Sequence, residues 1–136
     1  MKILPVTPLQ LPYVWPKIMQ YIQEAIEFEA GHLTPEKVYE LCEDGTFVLI
    51  VVYEEEKIKA AQTIELVATP AGRIMNLVTT GGVDLDDWQD ELCDMMEQLA
   101  KEQNCISIRT RGRLGWLRQL KRNGYEPKFF IAEKRV

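Results

Sequence analysis

The residue types best placed to do chemistry lie between a strand-like run and the longest helical pattern of the chain. Gly81 and Gly82 come just before this helix. Many folds bind phosphate at such a junction, because unpaired N–H groups and the positive end of the helix dipole attract anions. Here the first turn carries Asp84, Asp86 and Asp87, and no Lys or Arg follows before position 101. These carboxylates should repel a phosphate and cap the same N–H groups. The sequence therefore predicts a junction whose backbone arrangement suits phosphate but whose side chains disfavour its binding.

The composition is that of an ordinary globular protein. Of the 136 residues, 46% are hydrophobic and 27% are charged, which predicts one domain spanning 1–136. No apolar run reaches the roughly 20 residues that span a bilayer, so no membrane partner is expected. The segment from Met1 to Pro5 lacks the pattern of a signal peptide, which predicts a protein that is not secreted. Cys42, Cys93 and Cys105 share no CxxC spacing, which disfavours a metal site or disulfides and favours a reducing compartment.

The hydrophobic periodicity predicts the element order β-α-α-β-β-β-α-β-α-β. Strands joined through helices favour α/β layering with helices on both faces, and the central hairpins make the sheet mixed. The second helix should begin at Pro35, with Thr34 as its cap, and end before Gly45. The expected strands are 2–6, 47–53, 58–67, 73–79, 105–110 and 128–136, and the other expected helices are 13–29, 85–103 and 114–122.

The net charge of −5 is unevenly distributed along the chain. Residues 1–100 contain 6 Lys/Arg and 18 Asp/Glu, a net of −12, whereas residues 101–136 contain 10 and 3, a net of +7. One interpretation is that the two segments neutralise each other across the fold. The other is that the basic segment docks an acidic partner.

A basic surface is predicted around the end of the fifth strand. Arg109, Arg111 and Arg113 alternate there, so they should share one face, and their counter-charges come either from the acidic third helix or from an external partner. Trp116 and Arg118 follow, and the indole either packs on the sheet or contacts that partner. Binding of an anion or nucleic acid here would depend on salt. The scarcity of interleaved aromatic residues disfavours a nucleic-acid reader.

Over essentially the whole chain, the predicted order resembles the GNAT superfamily of acetyl-CoA-dependent N-acetyltransferases. The local resemblance is carried by Leu117-Arg118-Gln119-Leu120-Lys121-Arg122-Asn123-Gly124-Tyr125. It is similar to the GNAT ending, in which a helix closes with Gly-Phe or Gly-Tyr before the final strand. The resemblance implies this fold and, for an active member, acetyl-CoA as the cofactor.

The family's functional residues do not carry over. GNAT enzymes hold the CoA pyrophosphate on backbone N–H groups of an Arg/Gln-x-x-Gly-x-Gly/Ala loop, of which only Gly81 and Gly82 remain, one turn early. The tyrosine that many GNATs use as general acid corresponds to Leu120, which cannot donate a proton. The asparagine often found earlier in that segment corresponds to Arg113. These departures predict a catalytically degenerate protein, a pseudoenzyme with no cofactor.

A narrower resemblance lies in the segment from Arg113 to Leu120. Its Arg-x-Gly-Trp-x-x-x-Leu pattern before Gly-Tyr is similar to GNAT-like proteins encoded among the virion and packaging genes of tailed bacteriophages. This implies a phage-encoded protein of the host cytoplasm or the virion. Its partners would be phage structural or host proteins, and homo-oligomers remain an open alternative.

The competing hypothesis is an active N-acetyltransferase with an atypical donor site. The backbone of Val78 and Thr79 would then align the pantetheine arm as an added strand. Gly81 and Gly82 would receive the phosphates, and Glu65 would act as the base for the amine. For Glu65, a solvent-facing position on the third strand is an equally good explanation.

Overall fold

The computed structural model describes residues 1–112 and 114–136, without the side chains of Phe28 and Leu114. The strands are β1 (Lys2–Val6), β2 (Val48–Glu54), β3 (Lys57–Thr69), β4 (Gly72–Gly82) and β5 (Cys105–Thr110). The helices are α1 (Leu11–Ile26), α2 (Pro35–Glu43), α3 (Leu85–Glu102) and α4 (Leu117–Arg122). Short 3₁₀ turns follow α1 and precede α4.

The five described strands form one mixed sheet in the order β1-β2-β3-β4-β5. The first three pairings are antiparallel, whereas β4 and β5 are parallel because α3 carries the chain back between them. β5 pairs only with the first part of β4, from Arg73 to Leu77. The second part of β4 therefore continues past the end of β5, and the two strands part at this point.

Two hydrophobic cores lie on opposite faces of the sheet. β2 shows the alternation clearly, since Leu49 and Val51 pack with α1 and α2, while Ile50 and Val52 pack with α3. All four side chains are at most 4% exposed. A strand covered on both faces has a continuous apolar sequence, which is why the run 47–53 predicts a buried strand. The predicted mixed α/β fold with helices on both faces is confirmed.

The second helix begins as the sequence predicts. Thr34 has extended backbone angles, and its hydroxyl accepts a hydrogen bond from the Lys37 N–H at 3.2 Å. Pro35 occupies the first helical position, where its missing N–H costs nothing. A side-chain cap of this kind stabilises a helix by about 1 kcal/mol.

The predictions for two of the strands are wrong. β4 does not stop at Thr79 but extends through Gly81 and Gly82, which pair with Ala61 and Ala60 of β3. The glycines therefore belong to a strand and not to a turn. The predicted final strand at 128–136 is not formed; these residues are exposed and have no regular secondary structure.

Candidate functional site

The junction between β4 and α3 consists of only two residues, Val83 and Asp84. The Val83 N–H donates to the carbonyl oxygen of Lys59 at 2.8 Å. Trp88, which is almost fully buried, donates from Nε1 to the Val83 carbonyl oxygen at 2.6 Å. The Lys59 ammonium donates to the Asp84 carboxylate at 2.9 Å. We call this junction closed because both backbone groups of Val83 and the Asp84 carboxylate are hydrogen-bonded within the chain, although no side chain caps the first-turn N–H groups of α3.

The two glycines before this junction are required by packing. A Cβ on Gly81 would collide with the carbonyl oxygen of Tyr21 in α1, and a Cβ on Gly82 would collide with Lys59 and Ala60 of β3. Glycine therefore allows a helix and a neighbouring strand to approach β4 closely. Gly81 and Gly82 lie in the paired part of β4, so close packing is sufficient to explain why both are glycine, without any contact with phosphate.

The aspartates of the first turn do not act as the sequence predicts. Asp84 occupies the position before α3, but with left-handed backbone angles of 56° and 47° and without a side-chain bond to the first-turn N–H groups. Its carboxylate binds Lys59 instead, and this hydrogen bond and charge raise the pKa of Lys59. Asp84 is therefore the N-cap residue by position, as predicted, but the predicted capping by its side chain is wrong. Asp86 and Asp87 are exposed, and they add negative charge to the same turn.

Val78 and Thr79 lie where β4 and β5 part. Val78 is the extra residue of an irregularity in the pairing of β3 with β4, because Thr63 is opposite Thr79 whereas Ile64 is opposite Leu77. The Thr63 and Thr79 hydroxyl oxygens are 2.7 Å apart and buried. The β5-facing edge of β4 after Leu77 has no strand beside it among the described residues. The backbone predicted to align a pantetheine arm is thus placed at an open sheet edge.

Glu65 lies on β3 and Leu120 lies on α4. Glu65 is half-buried on β3 opposite Asn76, two residues before Val78. Leu120 is half-buried in α4 near Gly112. The nearest phenol in sequence, Tyr125, packs against the α3-side core instead. Burial, followed by the nearby Cys93 and Glu97, raises the pKa of Tyr125 to about 12.

The basic surface is only partly neutralised by acids of the same chain. Arg111 pairs with Glu29, in the 3₁₀ turn after α1, with a distance of 3.2 Å. The Arg109 guanidinium lies 5.4 Å from the centre of the Phe129 ring. Arg118 is exposed, and no ion pair involving it occurs among the described residues. The acidic residues of the third helix therefore do not neutralise Arg109 and Arg111. This contradicts the interpretation that the third helix supplies their counter-charges.

The acidic third helix has a different basic partner, which sequence reasoning missed. Arg122 donates to Asp90 at 2.9 Å, and the Asn123 side chain donates to the same carboxylate at 3.3 Å. Both bonds lower the pKa of Asp90. Trp116 is half-buried, close to Gly112 in the β5–α4 connection. The predicted partner residue Arg113 lies outside the described residues.

Two depressions lie elsewhere on the described surface. A depression of about 300 Å³ lies between β1 and α3, and one of about 200 Å³ lies between α1 and the β1–β2 edge. Neither includes a residue of the junction or of the basic surface. Within the described residues, no cluster of three or more metal-binding side chains is present. No helix of the described chain is long and apolar enough to cross a membrane.

Comparison with known proteins connects this architecture with one group of enzymes. A ribosomal-protein-alanine N-acetyltransferase from Brucella melitensis biovar Abortus 2308 superposes with a TM-score of 0.74 over 100% of both chains, at 10% identity. An aminoglycoside acetyltransferase from an uncultured soil metagenomic sample gives 0.72 over 99% of this chain and 94% of its own, at 14% identity. Glucosamine-6-phosphate N-acetyltransferase from Arabidopsis thaliana gives 0.69 over 98% and 97%, at 13% identity.

No family model and no curated protein matches the chain. The likeness to solved structures extends over the whole sheet and its helices, and at these identities it concerns the fold. It agrees with the resemblance to this superfamily that was drawn from the order of elements. The chain has the fold of the GNAT N-acetyltransferases.

Proposed function

We propose that this chain is a catalytically degenerate GNAT-fold protein that acts through protein–protein contacts. The observation that carries the proposal is the closed junction between β4 and α3. The Val83 N–H is bonded to Lys59, the Lys59 ammonium is bonded to Asp84, and only two residues connect the strand to the helix. A diphosphate therefore finds neither a loop to lie in nor an unpaired cation.

Electrostatic repulsion strengthens this argument. Asp86 and Asp87 are exposed in the first turn of α3. Two unit charges 4 Å apart repel by about 1 kcal/mol in bulk water and by about 4 kcal/mol at an effective dielectric constant of 20. A micromolar ligand has only about 8 kcal/mol of binding free energy in total. Two nearby carboxylates would therefore remove a large part of the affinity for a diphosphate.

The proton-transfer chemistry is also missing from the expected position. Leu120 takes the place of the tyrosine that many GNAT enzymes use to protonate the departing thiolate, and a leucine has no proton to give. Tyr125 is not a substitute because it packs into the α3-side core and keeps its proton up to a pH of about 12.

The contact surface of the proposed function lies at the end of β5, in the β5–α4 connection and on α4. Arg109, Arg111 and Arg118 are all exposed there, with the half-buried Trp116 between them in sequence. Arg and Trp side chains are frequent anchors of protein interfaces. The resemblance of the Arg113 segment to bacteriophage proteins supports a phage structural or host protein as the partner. The protein would then reside in the host cytoplasm or in the virion.

Thermal unfolding with acetyl-CoA tests the loss of the donor site. A ligand at 100 times its Kd stabilises a protein by about 2.7 kcal/mol, which raises the Tm by several degrees. We expect no change in Tm at millimolar acetyl-CoA, with a catalytically active GNAT enzyme as the positive control. A reproducible upward shift would contradict the proposal.

The alternative is an N-acetyltransferase with an atypical donor site. The open edge of β4 from Val78 onwards favours it, because an extended pantetheine arm could bind there as an added strand. Acetyl-CoA would be its cofactor, and Glu65 would deprotonate the amine. Mass spectrometry of amine substrates incubated with acetyl-CoA decides between the two functions, since the first predicts no increase in substrate mass. A mass increase that Glu65→Gln abolishes would establish the second.

A further inference from the structure

The C-terminal segment of residues 126–136, here named the tail, exposes three consecutive large apolar side chains. Phe129, Phe130 and Ile131 are 66%, 87% and 63% exposed. Single exposed apolar residues are common on protein surfaces, whereas a contiguous group of them indicates an interaction site.

The tail lies on the side of the sheet that carries α1 and α2. Ile108 packs against the α3-side core, so the next residue of β5, Arg109, points to the opposite face. The Phe129 ring centre lies 5.4 Å from the Arg109 guanidinium. Further along the tail, Glu133 Oε1 lies 2.6 Å from Nε2 of His32, in the connection between α1 and α2. The apolar run therefore lies between β5 and this connection.

Arg111 belongs to the same surface. Its guanidinium is exposed, and it pairs at 3.2 Å with Glu29, which lies in the 3₁₀ turn of the same connection. We name this region the tail surface and define it by its two exposed guanidinium groups and three exposed apolar side chains: Arg109, Arg111, Phe129, Phe130 and Ile131.

Arg109 is available to bind a carboxylate. Contact with an aromatic ring restrains a guanidinium but does not occupy its N–H donors. Among the described residues, no ion pair or hydrogen bond of the Arg109 side chain is present, and its contact is with Phe129. A guanidinium in this state presents a fork of donors that fits the two oxygens of a carboxylate.

We infer that the tail surface binds a short acidic segment of another protein, and that this segment also carries apolar side chains. A carboxylate of the segment pairs with Arg109, and its apolar side chains pack on Phe130 and Ile131. Both parts are needed, because an exposed ion pair alone contributes little affinity and apolar contact alone does not select a partner. The inference rests on the proposed function, whose partner it describes in chemical terms.

The surrounding charge favours a short segment over a long polyanion. The 3₁₀ turn after α1 and the first turn of α2 carry the exposed Glu27 and Glu36. Charges are screened only beyond about 8–10 Å at physiological ionic strength. A nucleic acid or an anionic membrane extends further than this and would approach these carboxylates. A short segment can contact the tail surface alone.

Selection from a random dodecapeptide library on the immobilised full-length chain tests the inference. We expect the enriched peptides to carry net negative charge and at least one large apolar side chain. Fluorescence anisotropy then measures the affinity of one enriched peptide. Arg109→Gln and Phe130→Ser should each weaken its binding by at least about tenfold, the effect of losing an interface anchor.

Two variants away from the tail surface serve as matched controls. Lys57→Gln removes one exposed positive charge at the start of β3, and Leu9→Ser removes an apolar side chain that is also 87% exposed but lies before α1. Both should bind the peptide as the wild type does. Circular dichroism checks that all four variants are folded.

Three results would overturn the inference. They are the absence of enriched peptides, enriched peptides without net negative charge, and binding that neither Arg109→Gln nor Phe130→Ser weakens. Single-stranded DNA and vesicles containing phosphatidylserine are tested in parallel. Binding of either one without peptide enrichment would also overturn it, and would identify the other class of partner.

The outcome is separable from that of the proposed function, because acetyl-CoA takes no part in peptide binding. A rise in Tm with acetyl-CoA would contradict the proposed loss of the donor site and leave the peptide result unchanged. An unchanged Tm together with no peptide binding would overturn the present inference alone.

Discussion

The Lys59 ammonium lies 2.9 Å from the Asp84 carboxylate, across the junction at which β4 leads into α3. Lys59 is also the residue whose carbonyl oxygen accepts the Val83 N–H. One lysine therefore holds both residues of the junction, through its backbone and through its side chain. Among the described residues, the Lys59 ammonium is the only cation in contact with this turn. This arrangement is the basis of the proposal that the junction does not bind a diphosphate.

Removing the exposed charge should not restore the donor site. In the double variant Asp86→Ala/Asp87→Ala the Val83 and Lys59 hydrogen bonds remain, so we expect acetyl-CoA binding to stay undetectable by thermal shift. The free energy of unfolding should fall by about 1 kcal/mol as the favourable interaction with the helix dipole is lost. The control is Glu91→Ala/Asp94→Ala, which removes the same charge further along α3. Binding gained only by the first double variant would mean that repulsion alone closed the site.

Gly81→Ala should destabilise the protein strongly, although the substitution adds only one methyl group. The added Cβ meets the Tyr21 carbonyl oxygen, so α1 must move away from β4. We expect a loss of about 1–3 kcal/mol in urea-induced unfolding, the usual cost of overpacking. Gly115→Ala is the control, because a Cβ there has no described atom within 4 Å and should change stability by less than about 1 kcal/mol. Equal effects of the two substitutions would show that Gly81 is not packed in this way.

The hydrogen bond between Thr63 and Thr79 supports β4 where it separates from β5. Both side chains are buried, at 0% and 3% exposure. Thr79→Val leaves the Thr63 hydroxyl without this partner and should cost about 1–3 kcal/mol. Thr63→Val/Thr79→Val removes both hydroxyls and should cost less than the sum of the single variants. A double-mutant cycle by chemical denaturation measures this coupling, and strictly additive effects would argue against the bond.

The sequence predicts most of the fold because its local patterns agree with the tertiary structure. β1 and β5 have the predicted bounds, α3 begins at Leu85, and Thr34 caps α2. The end of β4 was not predictable from local rules. A Gly-Gly pair is a turn signal, and its role here depends on an α1 carbonyl oxygen that is close only in the folded chain.

The candidate site was predicted less well, for a similar reason. The acidic turn was evident in the sequence, but Lys59 is 25 residues away from Asp84 and no spacing rule connects them. Residues 128–136 have an apolar pattern that suits a strand, but a strand forms only where a sheet edge is placed to pair with it, and this segment has no regular secondary structure. Local sequence therefore indicated the chemical character of these segments and not their partners.

Alkaline pH should destabilise the protein partly through Tyr125. Burial raises the pKa of this phenol from 10.0 to about 12. The folded state thus holds the proton more tightly than the unfolded state, so this stabilising contribution is complete below pH 10 and disappears as the pH rises to about 12. Tyr125→Phe should lose less stability than wild type between these values. Urea-induced unfolding at several pH values measures the difference, and parallel pH profiles would contradict it. Cys42, whose pKa burial raises to about 11, is present in both proteins and does not affect the comparison.

The most direct measurement of the central claim is a calorimetric titration of the wild-type chain with coenzyme A. The closed junction predicts no saturable heat up to a ligand concentration of about 1 mM, which corresponds to a binding free energy weaker than about 4 kcal/mol. A saturable isotherm with a Kd in the micromolar range would contradict it, and would favour the acetyltransferase alternative.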